Sequence, residues 1–466
     1  MAAKPRVVGT TAGFSPVILD NNRFNPLRSF SLFLGLALVF LRVSAFHQVQ
    51  TVLMHANLKL LYVVGIPALT GTVLCGGLPR AFKKSPTWYW IGFGVWMSVA
   101  CLASTWRSDS VLRITLPYLR TNIIFMVIVA GLIVGWKECV SLMRCLAFSA
   151  FATLLVARLF QNATDAYGDR FTLDFGTVSN SNDFACHLAF CLPFLYWAVL
   201  SSKSIVIKLI SLAGIAYAVL VIFRTGSRGG LIAIIAMCIA FMLWSSTAQR
   251  LALLIIAPIV CIGVISIVPH QTLMRIVSFS AGEAQASAEA LESSAQRRYL
   301  LQKSIEYTFK FPLFGVGPGE FASYEGGHNE VIGAHGTWHA THNSFTEVSS
   351  ECGIPGLLFY VAGLVASFRV FYSTYKRARP RADCVDIKNA MFCLMICMVG
   401  YCVATFFLNF AYFFYPVLLG GFAVVVASAM NEEFARRDAV AASRPVELWQ
   451  VPGLQNSWVR TATGVV

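Results

Sequence analysis

One stretch of the sequence joins a polar segment that carries a histidine directly to an apolar run. It reads His342-Asn-Ser-Phe-Thr-Glu-Val-Ser-Ser-Glu-Cys-Gly-Ile-Pro-Gly-Leu-Leu-Phe-Tyr-Val-Ala-Gly-Leu-Val365. Ser344 and Glu347 have the S-x-x-E spacing of a capping box, which predicts a short helix that begins at about residue 343. Gly353 is expected to end this helix, and the proline two residues later suits the first turn of an apolar helix.

The rest of the chain indicates that this apolar helix crosses a membrane. The sequence is 57% hydrophobic and 12% charged, and its mean hydropathy of +0.67 is far from that of a soluble globular protein. Apolar runs of about 17–21 residues recur, and in lipid each must be a helix because its backbone groups have no other partners. We therefore expect an all-α, polytopic integral membrane protein with about twelve spans, at residues 29–46, 57–76, 87–105, 118–135, 139–159, 184–200, 205–223, 228–245, 251–268, 354–373, 388–408 and 411–429.

The distribution of Lys and Arg among the loops predicts the orientation, since cytoplasmic loops are rich in both. The loops assigned to that side contain Arg80, Lys83, Lys84, Lys137, Lys203, Arg250, Lys376, Arg377, Arg379 and Arg381. The expected organisation is a cytoplasmic tail, helices one to nine, a periplasmic catalytic loop, helices ten to twelve and a second cytoplasmic tail, at residues 1–28, 29–268, 269–353, 354–429 and 430–466. The first span is interpreted as retained and not as a cleaved signal peptide.

Charge and cysteine content exclude several classes of function. The net charge of +14 is explained by topology, and no basic patch interleaved with aromatic residues suggests a nucleic-acid partner. Nearly all 13 cysteines fall in apolar spans, where Cys behaves as a small hydrophobic residue. No D-x-D pair and no His/Cys cluster with zinc-ligand spacing occurs, so we predict neither a metal site nor a cofactor.

Some arginines violate the charge rule because they fall at the outer boundary of the membrane. Arg224 and Arg228 lie in a very short outer turn, and Arg120 lies beside another outer loop together with Arg107 and Arg113. Extension of the side chain toward the membrane surface explains Arg107 and Arg113. A guanidinium in a semi-apolar site, in contrast, suits a diphosphate, because it stays charged there and donates two parallel hydrogen bonds. Arg228 precedes two glycines at a predicted helix N-terminus, where the backbone is expected to approach an anion closely.

The long outer loop carries a second arginine and the histidine. Arg297 recurs with Leu301, Ile305 and Phe309 at intervals of four, which predicts an amphipathic helix on the outer membrane surface with Arg298 toward solvent. Gly315-Val-Gly-Pro-Gly319 is interpreted as a tight structural turn, not as a nucleotide-binding loop.

His342 lies just ahead of a helix N-terminus, where negative charge is favoured. A titratable imidazole is thus expected at the edge of the membrane beside an anion site, although a capping or hydrogen-bonding role explains its position equally well. Three carboxylates are candidates to orient the imidazole, but capping and loop solvation explain each of them better. These are Glu320, Glu347 and Glu351.

Five short motifs, in this order along residues 180–356, resemble those of bacterial O-antigen ligases and related polymerases of lipid-linked glycans. Asn180-Ser-Asn182 resembles an N-x-N stretch, Ser227-Arg-Gly an S-R-G turn, and Arg297-x-x-x-Leu301 an R-x3-L element. Pro312-Leu-Phe-Gly-Val-Gly317 is similar to a P-l-l-G-x-G turn. His342-Asn343, followed after nine residues by Gly353-x-x-Gly356, is similar to the H-[NSQ]-x9-G-x-x-[GTY] signature.

The resemblance implies a glycosyltransferase of the bacterial inner membrane with its active site facing the periplasm. Its donor would be a glycan on undecaprenyl diphosphate, and its acceptor lipid A-core or a similar glycan. Implied catalytic residues are Arg228, Arg297 and His342, the last as a general base with an unperturbed pKa of about 6.5. Implied substrate-binding residues are Arg298, Arg224, Asn343, Asn182 and Arg120. A polymerase of the same superfamily is the first alternative. A polysaccharide or lipid transporter is the second, and the position of the charges at the outer boundary argues against it.

Overall fold

The computed structural model describes residues 26–160, 170–173, 175–277, 288–331 and 338–443. Within these ranges the protein is built from α-helices, with no β-sheet. The helices are α1 Pro26–Val43, α2 Phe46–Met54, α3 Leu60–Leu74, α4 Gly77–Ala81, α5 Ser85–Ala103, α6 Arg107–Asp109, α7 Ile124–Leu132, α8 Trp136–Leu159, α9 Ser181–Ser201, α10 Ile205–Arg224, α11 Arg228–Trp244, α12 Thr247–Ile267, α13 His270–Val277, α14 Ala288–Lys310, α15 Phe321–Val331, α16 Ser344–Ala378, α17 Val385–Ala404 and α18 Phe414–Ala442.

The expected all-α, multi-pass membrane architecture is confirmed. In the described ranges, nine helical stretches are long and apolar enough to cross a bilayer. The remaining three predicted spans are also helical, but Leu60–Leu74 and Arg228–Trp244 are short, and Ser85–Ala103 is less hydrophobic because Trp, Tyr and Ser interrupt it. The count of twelve spans therefore stays a prediction.

Burial separates central helices from peripheral ones. In α9 and α18, 78% and 83% of the apolar window is buried against other helices, whereas in α12 the share is 6%. A helix that is apolar on every side and unpacked within the protein has lipid as its natural surroundings. The buried hydrophobic core of the bundle thus lies around α9, α17 and α18, next to the start of α16.

One continuous helical path runs over Arg107–Leu132, in which α6 and α7 are joined by two segments with wider π-type turns. These segments are Ser110–Thr115 and Tyr118–Ile123. The sequence analysis placed Arg107 and Arg113 in a loop, and the structure places both on this path. Wider turns of this kind often accompany functional sites, because they re-aim side chains without ending the helix.

Residues 405–413, between α17 and α18, are not helical. The predicted spans 388–408 and 411–429 extended into this segment and were wrong there. Hydropathy misled because the loop is rich in Phe and Tyr. Its backbone is satisfied by side chains of α16: the Phe410 N–H donates to Ser344 Oγ at 2.7 Å and the Ala411 N–H to Glu347 at 3.3 Å. Irregular backbone at this depth requires such partners.

Candidate functional site

The first turn of α16 is capped by Asn343. Its side-chain oxygen accepts the backbone N–H groups of Phe345 and Thr346 at 2.9 and 3.1 Å. The predicted helix start is confirmed, but the predicted capping box of Ser344 and Glu347 is wrong. Both side chains turn toward the 405–413 loop, and the Ser344 hydroxyl donates to the Leu408 carbonyl at 2.7 Å. Asn343, predicted to bind substrate, uses its side-chain oxygen to order this helix start.

His342 precedes this cap in a strained backbone conformation. Its φ of 53° lies in the left-handed region, which a histidine adopts rarely and at a cost of about 1–3 kcal/mol. The side chain is half-buried, and no described group donates to or accepts from its imidazole. Strain at a titratable, unpartnered side chain is typical of a site whose partner is a substrate.

The pKa of His342 is lowered to about 4, first because the ring is buried and then because Arg297 and His339 place positive charge nearby. The expected unperturbed value is therefore wrong. The imidazole is neutral at neutral pH, so its lone pair is free to accept a proton. The influence of Arg297 also brings two of the predicted catalytic residues together.

Helix α14 positions Arg297 by packing on the first half of α16. Leu300 and Tyr307 are buried on its inner face, and the Thr308 and Ser349 hydroxyls lie 2.7 Å apart across the interface. The stripe of Leu301, Ile305 and Phe309 is exposed, as a face directed toward a membrane surface requires. Arg298 is exposed and Arg297 half-buried, in agreement with the predicted helix faces.

The Pro312–Gly319 turn is joined to a break in α16 at Gly353. Backbone bonds run from Val316 N–H to the Ser350 carbonyl at 2.8 Å and from Ile354 N–H to the Pro312 carbonyl at 2.7 Å. Gly353 has φ 71° and ψ −179°, and a Cβ there would lie 2.2 Å from the Leu313 carbonyl oxygen. The predicted structural role of this glycine-rich turn is confirmed. The turn thereby fixes the bend in α16 at Gly353, which lies between the helical segment after His342 and the membrane helix that follows.

The carboxylates near His342 have structural roles. Glu351 accepts the Gly319 N–H at 2.8 Å, the Phe321 N–H at 3.3 Å and the Tyr412 hydroxyl at 2.7 Å. Glu320 is buried, which raises the pKa of its carboxyl group. Glu347 is buried as well. The expected loop solvation is wrong because all three carboxylates are buried, whereas the expected capping role fits Glu351, which accepts N–H groups at the start of α15. No described hydrogen bond joins any of the three to the imidazole.

The turn that carries Arg228 lies against the same 405–413 loop. Ser227 caps α11 by accepting the Gly230 N–H at 3.3 Å. A Cβ on Gly229 would lie 2.8 Å from Cβ of Phe407, and one on Gly230 2.8 Å from Cβ of Ala185. These glycines therefore allow close packing of the loop and of α9. The predicted approach of an anion to the start of α11 stays a prediction.

These contacts bring three separate segments to one place. The Ser344 N–H donates to the Thr405 carbonyl at 2.8 Å, and the rings of Phe345 and Phe406 lie 4.6 Å apart. The 405–413 loop thus touches both the start of α16 and, through Phe407, the turn before α11. Arg228, Arg297 and His342 come from distant parts of the sequence and lie around this junction.

A comparison of the sequence with protein-family models finds a match in the part of the chain that contains Arg228, Arg297 and His342. Residues 213–361 match the model of the family described as O-antigen ligase. The segment that contains the predicted catalytic residues is therefore similar to the O-antigen ligase family. The matched segment contains Arg228, Arg297 and His342, and the family's members are glycosyltransferases of the ligase or polymerase type. No curated protein sequence matches the chain.

A further arginine, which the sequence analysis missed, lies at one edge of the candidate site. Arg170 donates to the Thr225 carbonyl at 2.8 Å and to the Asn182 side chain at 3.2 Å. The guanidinium of Arg224 lies 5.8 Å from the centre of the Phe171 ring. Asn182 and Arg224, both predicted to bind substrate, thus flank one small segment beside the turn before Arg228.

Arg120 is the predicted site residue that the structure does not bring to this junction. It is exposed and lies 5.9 Å from the ring of Tyr62 on α3. Arg42 at the end of α1 instead reaches inward, with donations to the Thr121 carbonyl and the Asn122 side chain. It escaped the sequence analysis because a single arginine at a helix end is commonplace.

The described residues contain no group of three or more His, Cys, Asp or Glu side chains arranged to hold a metal ion. Glu347 and Glu351 both accept backbone N–H groups, and Glu351 also accepts the Tyr412 hydroxyl. Arg228 and Arg297 are the basic side chains of the junction, and guanidinium groups suit an anionic ligand.

Proposed function

We propose that this protein is an O-antigen ligase-like glycosyltransferase. It would transfer a glycan from undecaprenyl diphosphate to a lipid A-core or similar acceptor at the periplasmic face of the bacterial inner membrane. The observation that carries the proposal is the proximity of Arg297 to the strained, half-buried His342, close enough to lower the pKa of the imidazole. A base and a diphosphate-binding cation are what transfer from a lipid diphosphate needs.

In this mechanism Arg228 and Arg297 bind the donor's diphosphate. Negative charge develops there as the bond between the anomeric carbon and the leaving oxygen breaks, and fixed cations stabilise that charge. A guanidinium is suited to this role because it stays charged in a semi-apolar site and donates two parallel hydrogen bonds. The family match, which covers both residues, supports this assignment.

His342 acts as the general base. The acceptor hydroxyl oxygen attacks the anomeric carbon, its proton passes to the neutral imidazole, and lipid diphosphate leaves with the electron pair of the broken bond. Direct attack from the opposite face inverts the anomeric centre. The bound diphosphate offsets the charge of Arg297, so the pKa of His342 rises when donor binds and the imidazole becomes a stronger base.

A deletion strain tests the reaction in cells. We expect lipopolysaccharide gels to show loss of surface O-antigen, while lipid-linked polymer accumulates. The polymerase alternative uses the same chemistry with a lipid-linked repeat as acceptor, and it predicts caps of a single repeat instead. Unchanged lipopolysaccharide and unchanged lipid-linked glycan would contradict both reactions.

Transfer is expected to need no divalent metal, because arginines take the part that a metal ion often has in glycosyl transfer from diphosphates. Purified protein, reconstituted with lipid-linked donor and acceptor, should keep its rate in EDTA. Loss of turnover that Mg²⁺ or Mn²⁺ restores would show that the donor diphosphate is bound through a metal.

A further inference from the structure

A cavity of about 350 Å³ lies beside the 405–413 loop. Its volume falls within the roughly 300–1,000 Å³ of small-ligand sites. Its walls include the end of α1, the start of α2, the π-type segments before α7, the 405–413 loop and the first turns of α16. The transfer mechanism proposed above leaves this space without a substrate.

The charged side chains in the wall favour an uncharged ligand. Arg42 donates to a backbone carbonyl at 3.0 Å and to the Asn122 side chain, and Arg113 pairs with Asp109 at 3.0 Å. Both guanidinium groups are thus engaged within the protein. The carboxyl group of Glu347 lines the same space and opposes an anionic ligand, while the charge of Arg42 opposes a cationic one.

Three other side chains in the wall keep hydrogen-bonding atoms that no described group uses. Glu347 accepts the Ala411 N–H with Oε2 at 3.3 Å, and its Oε1 has no described partner. His47 Nδ1 lies 2.8 Å from the Leu41 carbonyl oxygen, so Nδ1 carries the proton and Nε2 is left as an acceptor. The pKa of His47 is lowered, mainly because the ring is buried, so the neutral form prevails at neutral pH. The half-buried amide of Asn409 has no described partner at all.

These unused atoms select a ligand that donates hydrogen bonds. Glu347 Oε1 and His47 Nε2 accept, whereas the amide of Asn409 both donates and accepts. Sugar hydroxyls match this set, because each of them donates and accepts, and a hydroxyl that donates to a carboxylate forms a charge-assisted bond. The half-buried rings of Tyr412 and Phe413 add apolar faces against which the C–H face of a sugar packs. An uncharged sugar rich in hydroxyl groups therefore fits the cavity.

The position of the cavity favours the acceptor over the donor. Glu347 lies five residues beyond His342, the base proposed to take the acceptor's proton. Asn409 belongs to the loop that also contacts the start of α16. Neither Arg228 nor Arg297, the proposed ligands of the donor's diphosphate, lines the cavity. A sugar bound here is thus near the base and apart from the diphosphate ligands.

We propose that this cavity binds an uncharged, hydroxyl-rich sugar of the glycan acceptor, with Glu347, His47 and Asn409 as its hydrogen-bond partners. The proposal rests on the proposed transferase function and names the acceptor's binding site within it. These side chains select the acceptor and take no part in the proton transfer. The Michaelis constants of the two substrates distinguish an acceptor sugar from a sugar of the donor glycan.

The sharpest variant is Asn409→Ala, because no described group of the protein loses a hydrogen bond with it. We expect KM for the acceptor to rise about tenfold, while KM for the donor and the melting temperature stay near wild type. The matched control is Asn389→Ala in α17, another half-buried asparagine without a described partner and outside the cavity, which should leave both constants unchanged. A rise in KM for the donor alone, or unchanged constants in an active Asn409→Ala enzyme, would overturn the cavity proposal and leave the transferase proposal intact.

Acceptor analogues that each lack one hydroxyl group give a readout that structural damage alone would not change. Wild type should use one of these analogues with a kcat/KM about tenfold below that of the parent acceptor. In Asn409→Ala this discrimination should disappear, because the partner of the missing hydroxyl is gone as well. Glu347→Gln should lose the discrimination against a second analogue, since its amide oxygen still accepts the Ala411 N–H but the group facing the cavity becomes a donor. Discrimination that both variants retain would contradict direct contact with the sugar.

Saturation-transfer nuclear magnetic resonance measures binding without turnover. The probe is the core oligosaccharide of the same bacterium, released from lipid A and stripped of phosphate. We expect saturation of its uncharged sugars with wild type, a weaker signal with Asn409→Ala and no competition by a polyprenyl diphosphate. Absence of any signal, displacement by the polyprenyl diphosphate, or a signal confined to acidic or amino sugars would overturn the assignment. Binding that Asn409→Ala weakens, in a protein that transfers no glycan, would uphold the cavity and contradict the transferase function.

Discussion

Glu351 accepts a hydrogen bond from the hydroxyl of Tyr412 at 2.7 Å, and the same carboxylate oxygen accepts the Gly319 N–H at 2.8 Å. One side chain of α16 thereby holds both the glycine-rich turn that follows α14 and the loop between α17 and α18. The first of these segments lies within residues 213–361, which match the O-antigen ligase family, and the second lies beyond them. Since α14 carries Arg297 and α16 follows His342, Glu351 positions the proposed catalytic groups without touching a substrate.

Replacement Glu351→Gln keeps the shape of this side chain and exchanges one acceptor oxygen for an N–H₂ group. At least one of the three donors that face it then meets another donor. A buried donor left without a partner costs about 1–3 kcal/mol, so we expect a clear fall in melting temperature and a loss of transfer activity. Thermal unfolding of the detergent-solubilised protein measures the first, and a reconstituted transfer assay the second.

Two further variants provide melting temperatures with which that of Glu351→Gln is compared. Tyr412→Phe removes one donor and leaves both backbone donors on the carboxylate, so its effect should be smaller than that of Glu351→Gln. Glu306→Gln, at an exposed ion pair with Lys303 on α14, should be close to neutral. A melting temperature for Glu351→Gln as high as that for Glu306→Gln would show that the hydrogen bonds to Glu351 do not stabilise the protein.

Gly353→Ala tests the joint between α16 and the Pro312–Gly319 turn. At φ 71° and ψ −179° the conformation is open almost exclusively to glycine, and the added Cβ would lie 2.2 Å from a backbone oxygen. Strain of this kind costs about 1–3 kcal/mol even before the clash is relieved. We expect little monodisperse protein in fluorescence-detected size-exclusion chromatography.

The control for Gly353→Ala is Gly263→Ala in α12, where no atom lies within 4 Å of the added Cβ. It should behave as wild type or slightly better, since alanine favours a helix more than glycine does. Equal yields of the two variants would show that the break at Gly353 is not required for folding.

The sequence predicted the local features of the site well because each depends on neighbouring residues. The helix start at Asn343, the break at Gly353 and the outward position of Arg298 follow from capping preference, glycine geometry and helical spacing. The apolar runs likewise appeared as helices, since composition and length decide that in lipid. Such features need no knowledge of what packs against them.

What the sequence missed depends on contacts between distant segments. The 405–413 loop was assigned to membrane helices because hydropathy does not reveal that Ser344 and Glu347 supply its hydrogen bonds. The role of Glu351 is not visible in the sequence, because its three hydrogen-bond donors come from two other segments of the chain. The low pKa of His342 comes from its burial and from an arginine on another helix, and neither is visible in the spacing of residues.

The pH dependence of transfer follows from that lowered pKa. A protonated imidazole cannot accept a proton, so activity is retained above the pKa and lost as pH falls through it. In kcat/KM, which reports the free enzyme, we expect the acid limb near about pH 4. In kcat, which reports the enzyme with bound substrate, the acid limb should lie at a higher pH, because the bound diphosphate offsets the charge of Arg297 and so raises the pKa of His342.

Arg297→Gln provides an independent measurement of the same coupling. Loss of the neighbouring positive charge should raise the pKa of His342 toward its usual value. Carbethoxylation of His342, which needs a neutral imidazole, can be followed by mass spectrometry as a function of pH without any turnover. A limb near pH 6.5 in wild type, unmoved by Arg297→Gln, would show that the two residues do not interact.

Replacement of Arg228 or Arg297 by Lys tests the roles assigned to the arginines. Each variant keeps the charge but loses the planar fork that binds a diphosphate through two parallel hydrogen bonds. A single lost transition-state contact of this kind typically lowers the rate by roughly 10²–10³. Arg298→Ala is the matched control, because Arg298 is the exposed neighbour of Arg297 on the same helix. Equal sensitivity of Arg297 and Arg298 would contradict the assignment of the two helix faces.

His342→Ala separates the base from the anion site in the same assay. Transfer should be abolished while the variant still inserts and still binds lipid-linked donor, because a base acts on the acceptor's proton and not on the diphosphate. His339→Ala, three residues upstream, should cost far less. His335, a second control, lies outside the described residues. Near-normal transfer by His342→Ala would remove the histidine from the mechanism, and loss of donor binding would reassign it to the diphosphate site beside Arg297.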